Sequence, residues 1–215
     1  LNVPSEKVAV VPHGNYVGVY PNNMNRDEAR RKFNFTSEQT VFLFLGQIRK
    51  YKGIEDLIIA FNRVQQKFPH SHLLIAGKSM EPINLEELDI TPEVKSKITL
   101  IEKYIPENEL QHFYHAADVA VLPYTKILTS GSLLNAMSFS CPVIVPRVGM
   151  TEEIIQDGHN GYLYELKNLE SLVQTMIKII TLKSDDKNTL SEQTLISIKH
   201  LIRQNTSAKI FQDIV

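Results

Sequence analysis

Hydrophobic residues in this chain gather into short unbroken runs, separated by longer stretches with helical spacing. Val8–Val11, Val41–Leu45, His72–Ala76, Ile98–Ile101, Val119–Leu122 and Val143–Val145 are apolar almost throughout. Continuous rather than alternating runs predict strands buried on both faces of a parallel sheet. Between them, Ile54, Leu57, Ile58, Phe61 and Val64 share one helical face, with Gly53 before and Pro69 after marking its ends. A second helix is predicted from Glu107, with Leu110, Phe113 and Ala117 on one stripe, and a third after Ser130-Gly131-Ser132. Beyond about Lys183 the chain turns polar and then weakly amphipathic, which predicts peripheral helices over 181–215 around a core at about 1–180.

Strand–helix alternation of this kind predicts an α/β fold, a Rossmann-like doubly wound parallel sheet of about six strands with right-handed crossovers. No internal repeat or low-complexity linker divides residues 1–215, so one domain is expected. Sheets of this class bind ligands beyond the carboxyl ends of their strands. The loops that follow strands are therefore where chemistry is sought.

Composition narrows the classes. The 215 residues carry 23 Lys+Arg against 24 Asp+Glu, with 43% hydrophobic and 22% charged residues. That balance excludes a disordered polymer, a coiled coil and a polybasic nucleic-acid arm. A single cysteine, Cys141, excludes a disulfide framework and a cysteine-rich zinc site, and fits a reducing, cytoplasmic compartment. No apolar run approaches the roughly 18–20 residues needed to span a bilayer, and no signal peptide opens the chain.

Two loops carry the candidate chemistry. In GQIRKYKG at 46–53, Gly46 follows a buried strand and Arg49, Lys50 and Lys52 arrive just before a helix. A helix N-terminus offers free N–H groups and partial positive charge, so basic residues there suit phosphate or diphosphate. They equally suit a solvated turn. In LTSGSLLNAM at 128–137, Thr129, Ser130, Gly131 and Ser132 open a helix. One hydroxyl is explained by an N-cap, and three small polar residues around a glycine suit a backbone that approaches phosphate closely. The dinucleotide fingerprint GxGxxG, HExxH and GxSxG are all absent, so no nicotinamide or flavin site, metal or hydrolase triad is expected. His13 and Gly14 follow the first run, where a structural histidine is the simpler reading.

The same residues carry a family resemblance. PHG at 12–14, FLGQIRKYKGIEDLIIAF at 44–61, LLIAGK at 73–78, HAADVAVLPY at 115–124, SGSLLNAM at 130–137, PVIVP at 142–146 and EIIQDGHNGYLY at 153–164 together resemble the C-terminal half of glycosyltransferase family 4. The resemblance implies the GT-B architecture, two Rossmann-like domains facing across a cleft, with the nucleotide-sugar donor on the C-terminal domain. It implies hexose transfer from a UDP- or GDP-sugar to a glycan or lipid-linked acceptor in polysaccharide biosynthesis, without a metal. The N-terminal acceptor domain would be missing here, so the chain alone is expected to be inactive. A lipid-linked acceptor would place the enzyme peripherally at the inner membrane face.

Residue by residue, the resemblance implies that Lys52 matches the family's diphosphate lysine. The family's arginine position is occupied by Gln47, with Arg49 as the candidate substitute. Gly14, Gly46 and Gly77 would line the donor site. Ser130 and Gly131, with the N–H groups of Ser132 and Leu133, would meet the distal phosphate and sugar. Tyr104 and Ile105 would lie against the base, and Glu153 matches a family glutamate near the donor pocket. The family's paired glutamates correspond to Ile127 and Asn135 here, and only Asn135 can still bond a ribose hydroxyl. That loss favours the rival expectation of a non-catalytic nucleotide or sugar-phosphate binding module, while the retained Arg49/Lys52 loop opposes it.

Overall fold

The computed structural model describes residues 14–81, 83–126 and 130–203. Six parallel strands form one sheet: β1 (Thr40–Leu45), β2 (Ser71–Ala76), β3 (Ile98–Ile101), β4 (Val119–Val121), β5 (Val143–Pro146) and β6 (Tyr162–Tyr164), in the order β3-β2-β1-β4-β5-β6. β1 sits at the centre, buried along its whole length, with Phe42 in register with Leu73 on one side and Val119 on the other. An unbroken apolar run is therefore required there, because both sheet faces are covered.

The connecting helices are α1 (Arg26–Lys32), α2 (Ile54–Gln65), α3 (Pro92–Ser96), α4 (Leu110–Ala116), α5 (Gly131–Ser138), α6 (Met150–Ile154), α7 (Leu169–Thr181) and α8 (Ser184–Arg203). Strand order reverses between β1 and β4, so right-handed crossovers put α2 and α3 on one face and α4 and α5 on the other. On these faces α2 packs on α7, α4 on α1 and α5 on α8.

Five of the predicted strands appear, and Val8–Val11 lies outside the described residues. The sixth strand, β6, falls in a segment with no long apolar run, where Leu163 and Tyr164 are buried and Tyr162 is half-buried. Of the region expected to hold peripheral helices, Ser184–Arg203 forms one long helix, and its stripe of Leu190, Thr194 and Ile198 is buried. Thr194 donates to the Asn160 carbonyl at 3.0 Å, which ties α8 to the turn before β6.

At the amino end of the sheet, Asp118, just before β4, ties together three other elements, β1, α1 and α8. It accepts from the Val41 N–H at 2.7 Å, from Arg30 at 2.7 Å and from Arg26 at 2.8 Å, with Lys187 of α8 at 3.9 Å. Arg30 is 3% exposed, and burial lowers its pKa while Asp118 opposes that shift. This end is thereby locked. The opposite end carries the loops.

Candidate functional site

Beyond the carboxyl ends of β1, β2 and β3, beneath α4 and α5, lies a cleft of about 180 Å³. Gly46 and Gln47 come to it from the β1 loop, Gly77 and Lys78 from the β2 loop, and Tyr104 and Ile105 from the β3 loop. Ser132 and Asn135, one turn apart on α5, form the facing wall, with Leu110 and Tyr114 from α4. Seven residues named from the sequence thus meet in one place: Gly46, Gln47, Gly77, Tyr104, Ile105, Ser132 and Asn135. The sequence reading does not anticipate Lys78, Leu110 or Tyr114. Lys78 stands at the end of the LLIAGK segment, directly after Gly77.

Close backbone approach builds the cleft. The ideal Cβ position at Gly46 is 2.9 Å from the Ser132 hydroxyl, so the β1 exit and the first turn of α5 are in contact. Asn135, on the cleft wall, has its Oδ1 buried with no partner among the described residues. Tyr104 is 62% exposed, and its hydroxyl donates to Glu107 at 3.2 Å, which raises the phenol above its ordinary value. Burial raises Tyr114 well above the usual phenol range and pushes the Cys141 thiol up to about 12, so neither is an ionised nucleophile at neutral pH.

The N-terminus of α5 is capped from within. Ser130 is 3% exposed, and its hydroxyl accepts the Leu133 N–H at 3.1 Å and donates to the Tyr124 hydroxyl at 3.2 Å. The Leu133 N–H, expected at the ligand, is thus occupied by the cap. The N–H groups of Gly131 and Ser132 have no protein partner among the described residues, and the Tyr16 hydroxyl lies 3.4 Å from the position a Gly131 Cβ would take. These are the free donors of an eight-residue helix.

Lys52 and Arg49 part company. Lys52 lies in a 3-10 turn (Lys50–Lys52) with its ammonium 3.8 Å from the centre of the Tyr124 ring. Gly53 ends that turn at φ +68°, and a Cβ there would fall 2.0 Å from the Pro123 carbonyl oxygen, so only glycine fits. Between Gln47 and Arg49 stands Ile48, 2% exposed, bridged to Ser79 with its N–H on the Lys78 carbonyl. Ile48 forms a partition. Gln47 faces the cleft, whereas Arg49 lines a separate hollow of about 650 Å³ with Lys50, Tyr51, the first turn of α2, Glu81 and Lys126. Arg49 Nε is buried there without a partner among the described residues.

Two other expected residues lie elsewhere. Glu153 is exposed on the short α6 and lines neither space, as is Gly14 before the first described turn. His13 and Ile127 lie outside the described residues. Among the described residues no three His, Cys, Asp or Glu side chains gather as a metal site, and no helix is long and apolar enough to cross a membrane.

The family model for "Glycosyl transferases group 1" matches residues 25–194. Among curated proteins, an uncharacterized glycosyltransferase of Methanocaldococcus jannaschii is 28% identical over 184 residues, 84% of this chain and 47% of its own length. The lipopolysaccharide 1,2-N-acetylglucosaminetransferase of Salmonella typhimurium is 24% identical over 208 residues, covering 92% and 54% respectively. A GDP-mannose:glycolipid 4-beta-D-mannosyltransferase of Xanthomonas campestris is 33% identical over 122 residues, 57% of this chain and 34% of its own. The chain therefore spans about half the length of the first two of these proteins, and less of the third. In fold it resembles Anabaena HepE, solved with UDP and glucose, at a TM-score of 0.77 and 15% identity over 100% of this chain and 59% of that one. It also matches the C-terminal domain of a group 1 glycosyl transferase family protein from Francisella tularensis, at a TM-score of 0.67 and 23% identity over 86% of this chain and 96% of that domain.

Proposed function

The chain belongs to the glycosyl transferases group 1, and from that premise we propose that it is the donor-binding part of an enzyme that moves a hexose from a UDP- or GDP-sugar to a glycan or lipid-linked acceptor. One observation carries this reading: residues from three strand exits and the α5 N-terminus converge on a single cleft beside the reversal in strand order. Open parallel sheets hold their ligands at such a reversal. The relatives named for lipopolysaccharide and glycolipid products support an acceptor of that class.

In this reading the base lies against Tyr104 and Ile105, and Asn135 Oδ1 takes a hydrogen bond from a ribose hydroxyl. The diphosphate meets the Gly131 and Ser132 N–H groups and the Lys52 ammonium. Negative charge grows on the leaving diphosphate as the glycosidic bond breaks. Fixed amides and a lysine already in place stabilise that charge without reorganising. Gln47 is a neutral donor at the cleft wall, and Arg49 adds positive potential from the other side of Ile48. Glu153, on the β5 side of the same edge, comes into play only toward the sugar. The acceptor would come from the half of the protein that the longer relatives possess. Tyr51, Met80 and Tyr104, exposed on the loops after β1, β2 and β3, present apolar surface on that side.

The test is calorimetric titration of UDP, GDP, ADP and the matching monophosphates into the protein and its Lys52→Ala and Arg49→Ala variants. A charge-assisted hydrogen bond contributes about 1.5–3 kcal/mol, so Lys52→Ala should weaken diphosphate binding about 10–150-fold. Arg49→Ala should cost less, because its side chain lies beyond the partition. Undiminished diphosphate affinity in Lys52→Ala would remove the phosphate site from this loop.

A further inference from the structure

We propose that Tyr124 is a positioning residue that holds the Lys52 ammonium beside the first turn of α5 and thereby sets the affinity for a nucleoside diphosphate, an inference that rests on the donor-site reading above. The two loops meet in a paired register. The Thr125 N–H and hydroxyl both donate to the Tyr51 carbonyl, at 3.0 Å and 3.1 Å, and Gly53 packs against the Pro123 carbonyl. Lys52 and Tyr124 are the pair between them. Backbone contacts on both sides therefore fix where the lysine leaves its loop and where the ring stands.

The ring is itself immobilised. Tyr124 is 2% exposed, its N–H donates to the Leu122 carbonyl at 2.9 Å, and its hydroxyl accepts from Ser130 at 3.2 Å. Ser130 in turn caps the Leu133 N–H. One buried side chain thus links the lysine of the β1 loop to the helix terminus that supplies the free amides. At 3.8 Å from the ring centre, Lys52 is well inside the range of cation–π attraction.

The choice of partner has a consequence for charge. Among the described residues no carboxylate pairs with Lys52. A carboxylate would hold the lysine equally well but would cancel its charge and compete with a phosphate. A neutral ring restrains the long side chain while leaving the full charge for an anion. Removing the ring frees the rotamers of Lys52 without removing the ammonium, so the expected loss lies below that of Lys52→Ala.

The experiment is titration of UDP and GDP, with UMP and GMP alongside, into the protein and a set of variants. These are Lys52→Ala, Tyr124→Leu, the double variant, and Tyr124→Phe carrying zero, two or five ring fluorines. Fluorine withdraws density from the ring face and leaves its shape nearly unchanged, so this series decides the question even if Tyr124→Leu does not fold. Diphosphate affinity should fall stepwise with fluorination and drop about 2–30-fold in Tyr124→Leu, with monophosphate affinity less affected. In the Lys52→Ala background the Tyr124 substitution should add nothing. A flat fluorine series, or losses that add in the double variant, would overturn the positioning role while a weakened Lys52→Ala leaves the donor site standing. If Lys52→Ala binds UDP and GDP as the parent does, the donor-site reading fails and the positioning role fails with it.

Discussion

A single methyl group at Gly77 tests whether the cleft is built by backbone contact. Gly77 leaves β2 at φ +147°, and an ideal Cβ there falls 1.8 Å from the Gly46 carbonyl oxygen and 2.7 Å from its carbon. Non-bonded heavy atoms settle at about 3.5 Å or more, so the β1 and β2 exits must separate by more than about 1 Å. Hydrogen bonds resist that movement, since Gly46 N–H donates to the Ala76 carbonyl and Gly77 N–H to the Ile101 carbonyl, both at 3.0 Å. Overpacking costs about 1–3 kcal/mol, and a side chain in this backbone region about 1–3 kcal/mol more. For a chain of this length each kcal/mol lowers Tm by about 2–4 °C, so Gly77→Ala should melt at least about 4 °C early and up to about 24 °C. Gly18→Ala is the control: φ is +77° there but nothing lies within 4 Å of the new methyl, so only the backbone cost of about 1–2 kcal/mol applies. Differential scanning calorimetry of both variants, with UDP and GDP titrations, reads the difference. Gly77→Ala should lose nucleotide affinity as well as stability, because Gly46 and Gly77 are cleft walls, while Gly18→Ala keeps it. Equal melting points for the two variants would refute the close-contact argument.

Two further outcomes are expected. Tyr104→Ala should weaken UDP or GDP binding by about 5–150-fold, the range for an aromatic ring stacked on a base, without moving Tm, because the side chain is 62% exposed. Unchanged affinity and base preference by calorimetry would reduce Tyr104 to a packing residue. Stability should also depend on pH through His72, whose pKa burial pushes down from 6.5 to about 4, with Lys97 acting in the same direction. The folded state favours the neutral ring, so the stabilisation is complete above about pH 6.5 and is lost as pH falls toward 4. Urea unfolding at pH 7 and pH 5 should show a lower midpoint in acid, and His72→Leu should flatten the difference. His112 and His115 shift the same way and add to the slope that remains; an undiminished slope in His72→Leu would refute the assignment.

Much of the fold was legible in the order of residues. Val41–Leu45, His72–Ala76 and Ile98–Ile101 become neighbouring strands because continuous apolar runs have no alternative but burial on both faces, and Gly53 and Pro69 bracket α2 for reasons of local geometry. β6 was not legible: Tyr162 and Tyr164 are strand residues through what covers them, and the pattern alone reads as a loop. The helix α7 (Leu169–Thr181) was missed although its buried stripe of Leu172, Val173, Met176 and Ile179 has the same helical spacing that marked α2, on which it packs as a second layer. In the site, residue types were legible and partners were not. The sequence placed Arg49 and Lys52 three positions apart and suggested a shared anion, yet Ile48, bridged to Ser79, sends Arg49 into a different hollow from the wall that holds Gln47. Ser130 takes the Leu133 N–H that the sequence offers to a ligand, and Tyr124, to which the sequence assigns no role, stands under Lys52. Periodicity is a property of neighbours along the chain, so it specifies elements. Which side chain meets which across two loops depends on how close two backbones come, and that distance is set only when the sheet closes and Gly46, Gly53 and Gly77 let those loops touch.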